Sequence, residues 1–123
     1  MKLVHRSGSI RYNTINDDSY WACVNPPLYA DKLMTVTTNA NREALLPPTE
    51  DLEELPRYRG LGDWAQIEGT GHKSPELVYH NRLSPLSLSV NQELQIWYGQ
   101  DWADFSEDTN SGQTCVDVFV WHI

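Results

Sequence analysis

Apolar and polar residues alternate most clearly in the last third of the chain. Leucine and valine alternate with serine in Leu86–Val90, and apolar residues recur at every second position in Leu94–Tyr98 and in Cys115–Ile123. This period of two is typical of strands that bury one face. The pattern therefore predicts three strands, the last two separated by an acidic, turn-rich loop.

Shorter strand-like runs occupy the earlier part of the chain. Glycine, proline and asparagine punctuate them, and the pair Pro26-Pro27 stops one of them. The predicted segments are Ser7–Thr14, Tyr20–Val24, Leu28–Thr38, Trp64–Ile67 and Leu77–Leu83. One short stretch, Asp51–Glu54, has the spacing of a capping box and is the single helical candidate.

Seven or eight short strands without a helix of ordinary length predict an all-β fold. The length of 123 residues suits one domain, spanning 1–123. We therefore expect a single antiparallel β-sandwich of the jelly-roll type.

The charge of the chain narrows the class of partner. The formal net charge is -8, so the surface repels nucleic acids and anionic membranes. No apolar run reaches the roughly 20 residues of a membrane span, and no secretory signal stands at the start. We expect neutral sugars, cations or extracellular proteins as partners, for a mature module outside the cell; the alternatives are a cytosolic protein and a merely solvated acidic surface.

Two cysteines, Cys23 and Cys115, lie near opposite ends of the domain. Sandwich folds often place terminal strands side by side, which favours a disulfide and an oxidising compartment. Two buried free thiols are the alternative.

The acidic loop after Gly99 is a candidate calcium site, because calcium takes roughly 6–8 oxygen ligands in irregular geometry. The spacing is not that of an EF-hand, and a solvated acidic turn explains the same residues. The candidate ligands are Asp101, Asp104, Glu107, Asp108 and Asn110.

Aromatic residues in or near loops form a candidate sugar site. Their rings can stack on sugar faces while polar neighbours bind hydroxyls, although core packing is the alternative use of a large ring. Two arginines that flank one tyrosine can bind a carboxylate, or pair internally with Glu53 and Glu54. The candidate ligand-binding residues are Trp64, Trp97, Trp102, Tyr58, Arg57 and Arg59.

The last strand predicts an interaction surface. If its valines face the core, then Asp117, Phe119 and Trp121 point outward together. Exposed aromatic rings side by side indicate a homo-oligomer or partner contact. The alternative is that both faces are covered, as in a central strand of a sandwich with an overlying loop.

Catalysis has little support in the sequence. The four histidines lack metal-ligand spacing, and no nucleophile elbow or phosphate-binding glycine loop is present. We therefore expect no enzyme, and a small hydrolase ranks as the third hypothesis.

The segments Leu94–Asp101, Asp108–Gly112 and Thr114–Val118 resemble the tail of uncharacterised secreted modules of marine invertebrates. They also resemble the closing strand of discoidin-like, galactose-binding-like jelly rolls, in which a cysteine near the terminus bridges back to the first strands. The resemblance implies an extracellular adhesive or glycan-binding role. Recognition of carbohydrate is thus the first functional hypothesis, and a structural assembly module is the second.

Overall fold

The fold is described from a computed structural model. It describes residues 1–11, 18–21, 32–47, 64–65, 69–79, 85–104 and 110–121. These residues are mostly strands, with one short helix, in agreement with the all-β prediction. The elements in chain order are β1 (Lys2–Arg11), β2 (Lys32–Leu33), β3 (Thr35–Thr38), β4 (Ala44–Leu46), β5 (Trp64–Ala65), β6 (Glu76–Val78), β7 (Gln95–Tyr98), α1 (Gly99–Ala103) and β8 (Ser111–Phe119).

All strand pairs among these elements are antiparallel. One sheet has the order β6-β1-β8, a second has the order β4-β3-β7, and β2 pairs with β5. The β1–β8 ladder is the longest, running from Lys2 opposite Phe119 to Arg11 opposite Ser111. It joins the first described strand to the last, so these two strands lie side by side in one sheet.

The core lies where side chains from both three-stranded sheets meet. Its cluster of buried apolar residues comprises Leu3, Trp21, Leu33, Val36 and Leu77. The indole of Trp21 is 1% exposed, and its N–H donates to the Ser74 carbonyl at 2.7 Å. Burying so large a ring without leaving its N–H unpaired removes the main cost of placing tryptophan in a core.

Strand β3 is buried on both faces. Each of its four residues is buried, and its backbone pairs with β4 on one side and with β7 on the other. The Thr35 hydroxyl donates to the Trp21 carbonyl at 3.1 Å. Polar threonine is tolerated there because the hydroxyl has a buried partner.

The structure differs from the sequence-based assignment at three further segments of the chain. Leu86 and Leu88 are half-buried between exposed serines as predicted, but Val90 is exposed, and the segment forms no ladder and ends in a turn. Helix α1 lies where the sequence predicts an acidic loop after Gly99. Strand β4 lies in a stretch for which the sequence predicts no strand. Alternation reports which side chains are covered, not whether the backbone finds a strand to pair with.

The predicted disulfide is not present in the structure. Cys115 is a free thiol with an exposed side chain on β8. Cys23 and the helical candidate Asp51–Glu54 lie outside the described residues. The terminal strands are joined instead by the backbone ladder between β1 and β8.

Among the described residues, no helix is both long enough and apolar enough to cross a bilayer.

Candidate functional site

A cavity of about 480 Å³ opens where β1 ends, β8 begins and α1 starts. Antiparallel pairing brings these elements together, since Ile10 lies opposite Gly112 and Arg11 lies opposite Ser111. The residues lining the cavity are Ile10, Arg11, Tyr98, Asp101, Asn110, Ser111 and Gly112. The site therefore combines residues from both extremities of the chain with the acidic stretch after Gly99.

Two glycines allow β1 and β8 to approach closely beside the cavity. Gly8 and Gly112 have φ angles of 76° and 91°. A Cβ on Gly112 would lie 2.2 Å from the Ser9 carbonyl oxygen, and one on Gly8 would lie 2.0 Å from the Gln113 carbonyl oxygen. Both positions demand glycine, for backbone conformation and for space.

Asn110 is the unusual polar residue of the cavity. Its Oδ1 and Nδ2 atoms are both buried, and neither has a hydrogen-bond partner within the described part of the chain. Buried polar atoms in native proteins almost always have a partner. A rotation of this side chain that turned the amide toward the cavity would let it donate to and accept from a polar molecule placed there.

Charged groups of both signs border the cavity. The Arg11 guanidinium donates a hydrogen bond to the Asp18 carboxylate, and this bond lowers the pKa of that carboxyl below its ordinary value. Asp101 lies on α1 and is exposed. The cavity thus presents hydrogen-bond donors and acceptors beside the apolar surfaces of Ile10 and Tyr98.

Helix α1 is anchored by Arg42, which lies before β4. Its guanidinium donates to the Trp102 carbonyl at 2.9 Å and stacks over the Trp97 ring at 4.7 Å. The Trp102 indole N–H donates back to the Arg42 carbonyl at 2.9 Å, and that of Trp97 donates to the Thr38 hydroxyl at 3.1 Å. These contacts hold α1, and with it Asp101, at the edge of the cavity.

Two tryptophans of the predicted sugar site do not line the cavity. The indole N–H groups of Trp97 and Trp102 already donate hydrogen bonds within the protein, as described above. Neither ring lines the cavity. Trp64 forms part of the backbone of β5. Arg57, Tyr58 and Arg59 lie outside the described residues, so their ligand-binding role stays a prediction.

Two of the predicted calcium ligands line the cavity, and the others do not or lie outside the described residues. Asp101 and Asn110 meet at the cavity, whereas Asp104 is exposed at the end of α1 and does not line it. Glu107 and Asp108 lie outside the described residues. Among the described residues, no three acidic, histidine or cysteine side chains come together as a metal site would need.

Sequence inspection missed five cavity residues, which are Ile10, Arg11, Tyr98, Ser111 and Gly112. Four of them carry no local signal, because the cavity forms only when the first and last strands pair. Gly112 carried a usable signal, since a glycine inside a strand often marks a close approach of another backbone.

The predicted outward face of the last strand is confirmed only in part. Phe119 and Trp121 are 43% and 60% exposed, and the Lys2 ammonium lies 5.5 Å and 6.0 Å from their ring centres. Val116 packs against the core. Val118 and Val120, which alternation would turn toward the core, are 46% and 40% exposed, so Val116 alone of the three valines follows the predicted pattern.

No protein-family model and no curated protein matches this sequence. A solved structure with a similar fold is AJLec from the sea anemone Anthopleura japonica, at 28% sequence identity and a TM-score of 0.78. The similarity covers 94% of this chain and 74% of the AJLec chain. It agrees with the resemblance to modules of marine invertebrates, and it does not confirm the discoidin-like one.

Proposed function

We propose that this protein is a non-enzymatic carbohydrate-binding module that acts outside the cell. The name AJLec denotes a lectin, and the similarity to it extends over nearly the whole of this chain. The chain's net charge of -8 favours an uncharged ligand over an anionic one. We place the sugar in the cavity between β1, α1 and β8.

The single observation that carries this proposal is the unpaired amide of Asn110. A sugar hydroxyl donates and accepts at once, so vicinal hydroxyls can satisfy both Oδ1 and Nδ2 once the side chain turns these buried atoms toward the cavity. Arg11, Asp101 and Ser111 supply further polar groups around it. Ile10 and Tyr98 supply apolar surface for the C–H groups of the ring.

The size of the cavity fits this class of ligand. Its volume of about 480 Å³ lies within the range of roughly 300–1,000 Å³ that is usual for small-molecule sites. A monosaccharide or a disaccharide end would fill such a space, with the rest of a glycan leaving through the open side.

Calcium enters the proposal as a helper. Asp101 and Asn110 offer two side-chain oxygen donors at the cavity, whereas calcium requires roughly 6–8 oxygen ligands. Backbone carbonyls, sugar hydroxyls, water and the acidic residues between 105 and 109 are the further donors that this hypothesis requires. A calcium-independent site remains compatible with the Asn110 argument.

The jelly-roll topology also belongs to the proposal. Both three-stranded sheets contribute to one core cluster, as two facing sheets of a sandwich would. A rigid framework of this kind would hold the cavity at the end of the long β1–β8 ladder.

A glycan array, followed by calorimetry with the best hit, tests the proposed function. Asn110→Ala should weaken binding about tenfold or more, because the truncated side chain loses hydrogen bonds to the sugar. Asn41→Ala is the matched control, since Asn41 is exposed in the turn between β3 and β4. Both variants should melt at nearly the wild-type temperature.

Repeating the calorimetry with a calcium chelator separates the two forms of the proposal. Lost binding after chelation that returns with calcium supports the helper role, and unchanged binding restricts the site to direct hydrogen bonds. The proposed function itself falls if the wild-type protein binds no glycan, or if Asn110→Ala binds as tightly as Asn41→Ala.

A further inference from the structure

Strand β8 has the features of an unprotected sheet edge. It runs for nine residues, and within the described part of the chain it has a neighbour, β1, on one side only. Edge strands are usually protected by lysine, by proline or by being short. Strand β8 contains neither lysine nor proline, and it is one of the two longest strands described.

The end of this strand also exposes apolar surface. Val118, Phe119, Val120 and Trp121 are each at least 40% exposed. Exposed apolar residues that stand singly are ordinary, but four in succession beside an unpaired edge indicate a contact surface. The occupant must satisfy a row of backbone groups as well as cover side chains, which an extended strand does.

The distribution of charge indicates which extended strand can pair with the edge of β8. The chain carries a net charge of -8, so a second copy is repelled from most faces of the first. Strand β8 has a single charged residue, Asp117, and the Arg6 guanidinium already pairs with it. The edge is therefore a nearly neutral strip on an acidic molecule, where two copies meet with little repulsion.

We propose that two copies of this chain form a two-fold dimer in which their β8 strands pair antiparallel, edge to edge. Such a contact is self-complementary, as a two-fold interface must be. If Ser111–Phe119 pairs over its full length, the two-fold axis passes through its middle residue, Cys115. The same register sets Asp117 of each copy opposite Gln113 of the other, so no like charges face each other.

The dimer has a functional consequence, which rests on the proposed carbohydrate-binding function. Ser111 lines the cavity and begins β8. Pairing over nine residues separates the two Ser111 positions by roughly 27 Å, at about 3.4 Å per residue. Two cavities at opposite ends of the paired strands would let one dimer bridge two glycans.

Sedimentation equilibrium from about 1 to 100 µM tests the dimer. We expect the wild-type protein to approach twice the chain mass of 14.1 kDa. Cys115→Lys places two ammonium groups opposite each other at the axis and should weaken dimerisation about tenfold or more. Val90→Lys is the matched control, because Val90 is 92% exposed in a turn that is not part of β8.

A mixture of Cys115→Lys and Cys115→Asp chains provides the rescue. Opposite charges at the axis should restore a dimer that contains one of each chain, which a merely unfolded variant cannot do. In the wild-type protein, a short bis-maleimide should join Cys115 to Cys115, as mapped by mass spectrometry of the digested product.

The proposal is overturned by a wild-type protein that stays monomeric at 100 µM, by Cys115→Lys dimerising like the wild type, or by a crosslink that avoids Cys115. Glycan binding gives a separate result. Cys115→Lys should bind sugar with unchanged affinity and lose the ability to agglutinate glycan-coated beads. A dimer that binds no glycan leaves the interface intact and removes only the proposed function.

Discussion

Strands β3 and β8 are similar in sequence but differ in burial and in the number of neighbouring strands. Each contains β-branched residues, as in Thr35-Val36-Thr37 and in Thr114-Cys115-Val116. Strand β3 is buried at all four positions, between two neighbouring strands. Strand β8 is exposed or half-buried throughout its nine residues and has one neighbour among the described strands.

The difference shows that local pattern predicts a strand but not its place in the sheet. A central strand places every side chain against protein and every backbone group in a ladder, so it contributes mainly to stability. An edge strand keeps side chains and backbone groups available. In this protein the edge strand supplies both the cavity residues and the proposed dimer contact.

The same substitution in the two strands should give the largest contrast. Val36→Ala should lower the free energy of unfolding by about 2–3 kcal/mol, because it removes buried methyl groups and leaves a cavity. Val118→Ala should cost less than about 0.5 kcal/mol in the monomer, since Val118 is 46% exposed. Urea unfolding at low protein concentration measures both, and equal losses would contradict the assigned roles.

A threonine in each strand gives a smaller contrast. The Thr38 hydroxyl accepts a hydrogen bond from the Trp97 indole at 3.1 Å. Thr38→Val leaves that N–H unpaired and should cost about 1–3 kcal/mol. The buried Thr114 hydroxyl on β8 has no partner within the described residues, so Thr114→Val should be neutral or slightly stabilising.

Both variants replace a threonine hydroxyl with a methyl group. Thermal and urea unfolding therefore allow a direct comparison of their effects on stability. A loss for Thr114→Val as large as that for Thr38→Val would mean that the hydroxyl on β8 has a polar partner in solution.

The parts of the fold that the sequence predicted depend on short-range pattern. Cys115–Ile123 and Leu94–Tyr98 overlap β8 and β7, because each alternates over enough residues to identify a half-buried strand. The exposure of Phe119 and Trp121 agrees with that period, but Val118 and Val120, at the alternate positions, are exposed as well. Leu86–Val90 shows the limit of this reasoning, since it alternates equally well and pairs with no described strand.

The candidate site was predictable only in part. Asp101 and Asn110 were identified because an acidic, turn-rich stretch attracts notice by composition. Ile10 and Arg11 were not, because they reach the cavity through pairing with residues about a hundred positions later. Helix α1 was missed for a related reason: tertiary contacts of Arg42 with Trp97 and Trp102 hold five residues that begin with glycine.

The smallest expected effect lies at the exposed end of β1, where Arg11 pairs with Asp18. The pKa of Asp18 is lowered in the folded protein, so the pair stabilises the fold above the ordinary carboxyl pKa of 3.8 and loses that contribution as the pH falls through the folded value. Asp18→Asn should therefore lower the melting temperature slightly at pH 7 and hardly at all at pH 2. Because removing one negative charge from an acidic chain stabilises it by itself, Asp104→Asn, at another exposed carboxyl, is the control to subtract. Added salt should shrink the difference at pH 7, since surface ion pairs are screened. A difference that persists undiminished at pH 2 would show that Asp18 acts through its shape and not through its charge, and that Arg11 at the cavity is held by other contacts.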